Sequence, residues 1–163
     1  MIHEWFAEVA EDYNDFINGL LQGDVDAMNQ YMNQVSKYMF SYFDTGKKGS
    51  DSEPERFYHG FVLGLMVELE DRYIITSNRE SGFGRYDVML EPVDKSEDAI
   101  IIEFKVRNTG KEASLEETVK TALKQIAEKE YEAELLRRGC EEGKIRKYGF
   151  AFEGKNVLIG ESI

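Results

Sequence analysis

Ala99-Ile100-Ile101-Ile102-Glu103-Phe104-Lys105-Val106 constrains this chain more than any other stretch. A run of four apolar residues, three of them β-branched, fits a strand covered on both faces, at the centre of a sheet with helices on either side. Such a strand leaves little room for charge, yet this one carries two. Side chains alternate faces along a strand, so Glu103 and Lys105 project the same way, about 7 Å apart. Charges on a covered face are costly unless they are paired or used. Sixteen positions before Glu103, Asp87 lies in Gly84-Arg85-Tyr86-Asp87-Val88. If the two strands pair, both carboxylates and the ammonium converge on one face.

The surrounding pattern supports that placement. Residues 1–43 read as helices, with Trp5, Val9, Tyr13, Phe16, Ile17 and Leu20 and then Met28, Tyr31, Met32, Val35, Met39 and Phe43 at helical spacing. Gly23-Asp24 divides them, Asp24 serving as a cap. Thr45 to Asp51 is a loop, and it separates an N-terminal helical annex (1–50) from the domain that carries the chemistry (51–163). Ser52-x-x-Glu55 is a capping box with Pro54 in the first turn, opening a helix striped by Phe57, Phe61, Leu65 and Leu69. Strands are expected over Tyr73–Thr76, Arg85–Leu90 and Ala99–Val106. One helix then runs from Ser114 to Arg138, stopped by Gly139, and strands follow over Ile145–Phe152 and Val157–Ile159. From residue 52 the order is αβββαββ, an α/β domain with a central sheet flanked by helices.

Composition removes several classes. The longest apolar run, Phe61 to Val67, is far too short to span a membrane. A single cysteine, Cys140, excludes an internal disulfide or a zinc cluster built on thiolates, and reads as an incidental thiol. With an acidic start and no signal-peptide pattern, the expectation is a cytoplasmic protein. The net charge of −12 argues against unaided tight binding to nucleic acid. That charge is uneven: residues 1–50 hold eight acids and three lysines, whereas Arg79, Arg85, Lys105, Arg107, Lys111, Lys120 and Lys124 gather around the motif.

Two carboxylates beside a lysine suit phosphodiester hydrolysis. Mg²⁺ or Mn²⁺ held by carboxylates neutralises phosphate charge, generates hydroxide near pH 7 and stabilises the leaving oxygen. A neighbouring lysine orients the attacking water and stabilises the oxyanion. The carbonyl of Phe104, edgewise from the strand, is a further candidate ligand.

Asp87…Glu103-Phe104-Lys105 in αβββαβ order resembles the PD-(D/E)XK nuclease superfamily, although Tyr86 stands where the superfamily's name has proline. The wider strings Phe57-Tyr58-His59-Gly60-Phe61 and Ser77 to Asp87 are similar to one branch of it. That branch usually forms the C-terminal domain of proteins with an AAA-ATPase-like module. The resemblance implies that Asp87 and Glu103 ligate the metal and that Lys105 is the motif lysine. It implies that Gln125 and Tyr131 lie near the substrate and that Glu55 adds an acid. Nucleic acid, DNA before RNA, is then the expected partner, with an AAA-ATPase-like protein as another.

Each supporting residue has a plainer alternative. Glu55 serves equally as the capping-box acid. His59, one turn on, is a base or phosphate contact, or else structural. Arg79 and Arg85 contact phosphate, or Arg85 pairs with Glu103. Gln125 reaches substrate or hydrogen-bonds a strand end. The domain as a whole is either a nuclease or a catalytically silent regulatory module on the same fold.

Overall fold

A computed structural model describes residues 13–43, 53–80 and 85–162, with side chains placed for 13–37, 59–77 and 87–162. Helices α1 (13–22), α2 (Val25–Phe43) and α3 (Glu53–Met66) lead through a single 3₁₀ turn into β1 (Tyr73–Glu80). Strands β2 (Arg85–Pro92) and β3 (Ala99–Val106) follow. Two helices, α4 (Leu115–Glu128) and α5 (Tyr131–Arg137), precede β4 (Ile145–Glu153) and β5 (Asn156–Glu161). The strands form one mixed sheet in the order β1-β2-β3-β4-β5, with β3 and β4 parallel and every other pair antiparallel. The α/β architecture expected from the sequence, a mixed sheet flanked by helices with an N-terminal helical region, is what forms.

Period-2 alternation on β3 sorts the core into two halves. Ile100, Ile102 and Phe104 join Val88, Leu90, Tyr148, Phe150 and Phe152 on the face covered by α1, α2 and α3. Phe16, Leu20, Met28, Met32, Val62 and Met66 pack onto that face with no exposed surface. The N-terminal helices therefore share one core with the sheet. Asp24 caps α2 as its type suggests, its side chain accepting the Ala27 amide at 3.1 Å. The opposite face is smaller: Met89, Ala99 and Ile101 meet Ile126 of α4, Leu135 of α5 and Cys140. Burial pushes the Cys140 thiol up, which favours its protonated form.

At the β5 edge of the sheet, α2 supplies what a sixth strand would. Asn29 donates to the Ile159 carbonyl at 2.9 Å and accepts the Ile159 amide at 2.7 Å. Asn33 does the same at Val157, at 2.8 and 3.1 Å, and the Ser36 hydroxyl donates to the Lys155 carbonyl. The backbone groups on the outer side of β5 are thereby satisfied by side chains.

Three expectations shift. Strand β1 continues past Thr76 to Glu80, because its polar half pairs residue by residue with β2 from Arg85 to Val88. The last strand likewise runs from Asn156 to Glu161. The single helix expected over Ser114–Arg138 is two, α4 and α5, broken at Glu130, which takes left-handed backbone angles (φ 56°, ψ 26°). No glycine or proline marks that break.

Candidate active site

A single transverse row of the sheet organises the site. Asn78, Asp87, Glu103, Gly149 and Gly160 are successive cross-strand partners on β1 to β5. Asp87 and Glu103 are directly opposed on the face covered by α4 and α5, 1% and 0% exposed. The two glycines of the row let α4 settle beside them. A Cβ on Gly149 would lie 2.9 Å from the Val119 carbonyl oxygen, and one on Gly160 would lie 2.6 Å from the Val119 side chain. Ser114 caps the start of α4, accepting the Glu117 amide.

Two buried like charges at opposed positions are unfavourable, each costing roughly several kcal/mol to desolvate unless compensated. The compensation comes from the break between α4 and α5. Lys129 Nζ lies 3.4 Å from Asp87 Oδ2 and 3.4 Å from Glu103 Oε1. The Tyr131 hydroxyl donates to Asp87 Oδ2 at 2.6 Å, a short, charge-assisted bond. Glu130, between them, is held in a conformation that costs a non-glycine residue about 1–2 kcal/mol. Helix α5 is pinned at both ends, by Lys147 to Glu132 and by Arg138 to Glu91 at 3.0 Å. The kink is therefore a fixed part of the fold.

Lys105 leans the other way along its strand. Its ammonium donates to Glu112 Oε1 at 2.9 Å, and the same oxygen accepts the Asn108 amide at 2.7 Å. Burial pushes the Glu112 carboxyl up, but the Asn108 amide, the Lys105 ammonium and the Thr121 hydroxyl outweigh it and hold it below the usual carboxylate range. Arg107 braces this loop, bonding the Glu112 and Ala113 carbonyls and the Glu153 carboxylate. Gln125 is buried on α4, one turn before Lys129.

Of the residues singled out in the sequence, Asp87, Glu103 and Tyr131 come together, with Lys105 two positions along β3 from Glu103. His59 does not join them. It pairs with the Ser77 hydroxyl at 2.8 Å and sets its ring edge-on to Phe104 at 5.5 Å, on the opposite face of the sheet. Phe104 is the last β3 residue in register with β2, while the β3–β4 pairing continues to Val106. Its carbonyl thus lies at the open end of the β2–β3 ladder. Glu55 is on α3, one turn before His59, and Arg79 and Arg85 are on β1 and β2; the side chains of all three fall outside the described residues, as do the Ser52–Glu55 capping box and the Ser81–Gly84 turn. Glu112 carries no sequence signal and Lys129 only its place in Gln125-Ile126-x-x-Lys129-x-Tyr131, since a charged residue at a helix end or in a loop normally faces water.

The donor set fits a hard divalent ion. All the oxygens are carboxylate, and Asp87 Oδ1 is buried yet accepts no hydrogen bond among the described residues. Mg²⁺ keeps several waters and is commonly held by one or two carboxylates, so a pair is enough. Among the described residues no third His, Cys, Asp or Glu completes a larger cluster. A cavity of about 320 Å³, lined by α1 and α2 residues that include Asp15, Gln22 and Gln34, contains none of the residues singled out for the site. Among the described residues no helix is long and apolar enough to cross a membrane.

Compared with known proteins, residues 53–162 match a family model described as the PD-(D/E)XK nuclease superfamily. No curated protein matches the chain.

Proposed function

The chain belongs to the PD-(D/E)XK nuclease superfamily, and on that basis we propose that it is a cytoplasmic, metal-dependent nuclease that hydrolyses phosphodiester bonds, of DNA before RNA. One observation carries the proposal: Asp87 and Glu103 are buried, directly opposed cross-strand partners, and Asp87 keeps a buried oxygen that accepts no described hydrogen bond. A scaffold gains nothing from such a pair, because apolar residues of similar volume would be at least as stable there.

Asp87 and Glu103 would hold Mg²⁺ or Mn²⁺, with the Phe104 carbonyl and Glu55 as further ligands. The bound ion would supply Lewis acidity toward the phosphoryl oxygen and acidify a water. Lys105 would orient the attacking water and place positive charge near the developing oxyanion, with Glu112 holding its ammonium by a hydrogen bond. Tyr131 fixes the Asp87 carboxylate through its hydrogen bond. Gln125, on α4 one turn before Lys129, is a proposed substrate contact, and Arg79 and Arg85 are proposed phosphate contacts.

The decisive measurement is cleavage of single- and double-stranded DNA and RNA by the full chain at low salt, with Mg²⁺ and with Mn²⁺. Activity is expected with either ion, abolished in Asp87→Ala. Absence of cleavage across the whole panel overturns the proposal. That result would favour a silent regulatory module acting with an AAA-ATPase-like partner. The net charge of −12 and the ammonium already bonded to both acids are the observations that favour this second reading.

A further inference from the structure

We propose that Lys129 is the resident cation of the metal-free protein, and that a divalent ion enters the site only by displacing it. The inference rests on the metal-site reading of Asp87 and Glu103 above. Two opposed, buried carboxylates destabilise the sheet unless they are neutralised, and the fold supplies its own neutralising group. The Lys129 ammonium touches one oxygen of each carboxylate at the same 3.4 Å. A metal held by both acids, even through their other oxygens, would lie beside that ammonium, and like charge sets the two cations against each other.

Both contacts to the buried acids are long. Committed charge-assisted bonds are shorter, about 2.7–2.9 Å, and Lys105 meets Glu112 at 2.9 Å in this same protein. Lys129 straddles two acceptors at 3.4 Å, with the Tyr131 ring centroid 5.7 Å away. Its side chain retains 16% exposure, whereas the two carboxylate side chains retain 2% and 0%. The backbone beneath it is anchored, since α4 rests on Gly149 and Gly160 and α5 is pinned at both ends. Only the four-carbon stem needs to move. A divalent ion offers twice the charge to the same oxygens, so Coulomb attraction favours exchange once the ion is abundant.

Lys129 is thus a positioning residue with two opposed effects: it steadies the metal-free fold and it competes with the ion. A lysine of purely structural value has only the first. Calorimetric titration of the full chain with Mn²⁺ separates them. Lys129→Gln is expected to bind Mn²⁺ at least tenfold more tightly than wild type while melting at a lower temperature in EDTA. Lys129→Arg, which keeps the charge, is expected to show no tightening. Reductive methylation of the wild-type chain provides a readout that needs no variant. Lys129 should react several-fold faster in saturating Mn²⁺ than in EDTA. If wild type binds Mn²⁺ but Lys129→Gln binds it no more tightly, or if Lys129 reactivity is unchanged at saturation, the exchange is wrong and the metal site stands. If neither wild type nor Lys129→Gln takes up Mn²⁺, the metal site and the exchange fall together.

Discussion

Glu103 and Phe104 are neighbours in sequence and face opposite sides of the same sheet, under different rules. Phe104 sits among the rings of His59, Phe150 and Phe152, at 5.2–6.0 Å between centroids, in a continuous apolar layer roofed by α1, α2 and α3. Glu103 is buried just as completely, but beside another carboxylate and an ammonium, under α4 and the kink that follows it. One face holds the domain together by area. The other carries unfavourable groups that the first face is stable enough to support.

That contrast is open to direct test, beginning with the largest effect. Phe104→Ala empties a buried aromatic site and is expected to cost about 3–5 kcal/mol. For a chain of this size that lowers the melting temperature by about 10 °C or more. A loss of only a degree or two would show that the aromatic face is not the stabilising one. Glu103→Gln next door is expected to shift melting by no more than a few degrees, since it relieves one of two like charges. Its cleavage rate should fall about a hundredfold or more, the scale of a lost metal contact. A variant that cleaves normally would remove Glu103 from the chemistry.

Smaller effects probe how the polar face is assembled. Gly149→Ala forces α4 off the sheet against backbone at Val119 and is expected to cost about 1–3 kcal/mol. It should also lower activity, because Gln125 and Lys129 ride on that helix; a variant that is destabilised yet fully active would uncouple α4 from the site. The smallest effect is the pH response of Glu112→Gln. The folded-state Glu112 carboxyl titrates below its ordinary value, so its contribution is complete above the unfolded value of about 4.3 and is lost as pH falls through the folded one. The variant should melt below wild type at pH 7, by on the order of 1 kcal/mol, and the gap should close toward pH 3. A gap that stays constant across that range would mean the carboxylate charge is not its source.

Legibility in the sequence followed the same division. The bounds of β3, Ala99–Val106, are legible because an apolar run in a central strand depends on burial alone. The expected convergence of Asp87 and Glu103 followed from period 2, and the register delivers it. Strand β1 was cut short at Thr76 because Ser77-Asn78-Arg79-Glu80 has no apolar pattern; pairing with β2 extends it. The break at Glu130 was hidden for a similar reason. Lys129, Glu130 and Tyr131 are all compatible with a helix, and what stops it is a tertiary demand, the bonds from Lys129 and Tyr131 to the two buried acids. The helical spacing of His59, one turn after Glu55, does not reveal that its ring lies against Phe104. Helical spacing does not say which face of a sheet a helix covers.

The asparagines of α2 set a limit on assembly. Four residues of helix advance about 6 Å and two residues of strand about 6.6 Å, so Asn29 and Asn33 are nearly commensurate with Ile159 and Val157. The two lattices then drift apart, and at the third rung a serine makes a single bond to Lys155 in place of a pair. A helix can therefore terminate a sheet in this way for only a few rungs, which is about the length of β5. The match also indexes the rotation of α2, because a one-residue slip would turn the asparagines by about 100° away from the strand. Lateral growth of the sheet is stopped at β5 by side chains in place of another strand.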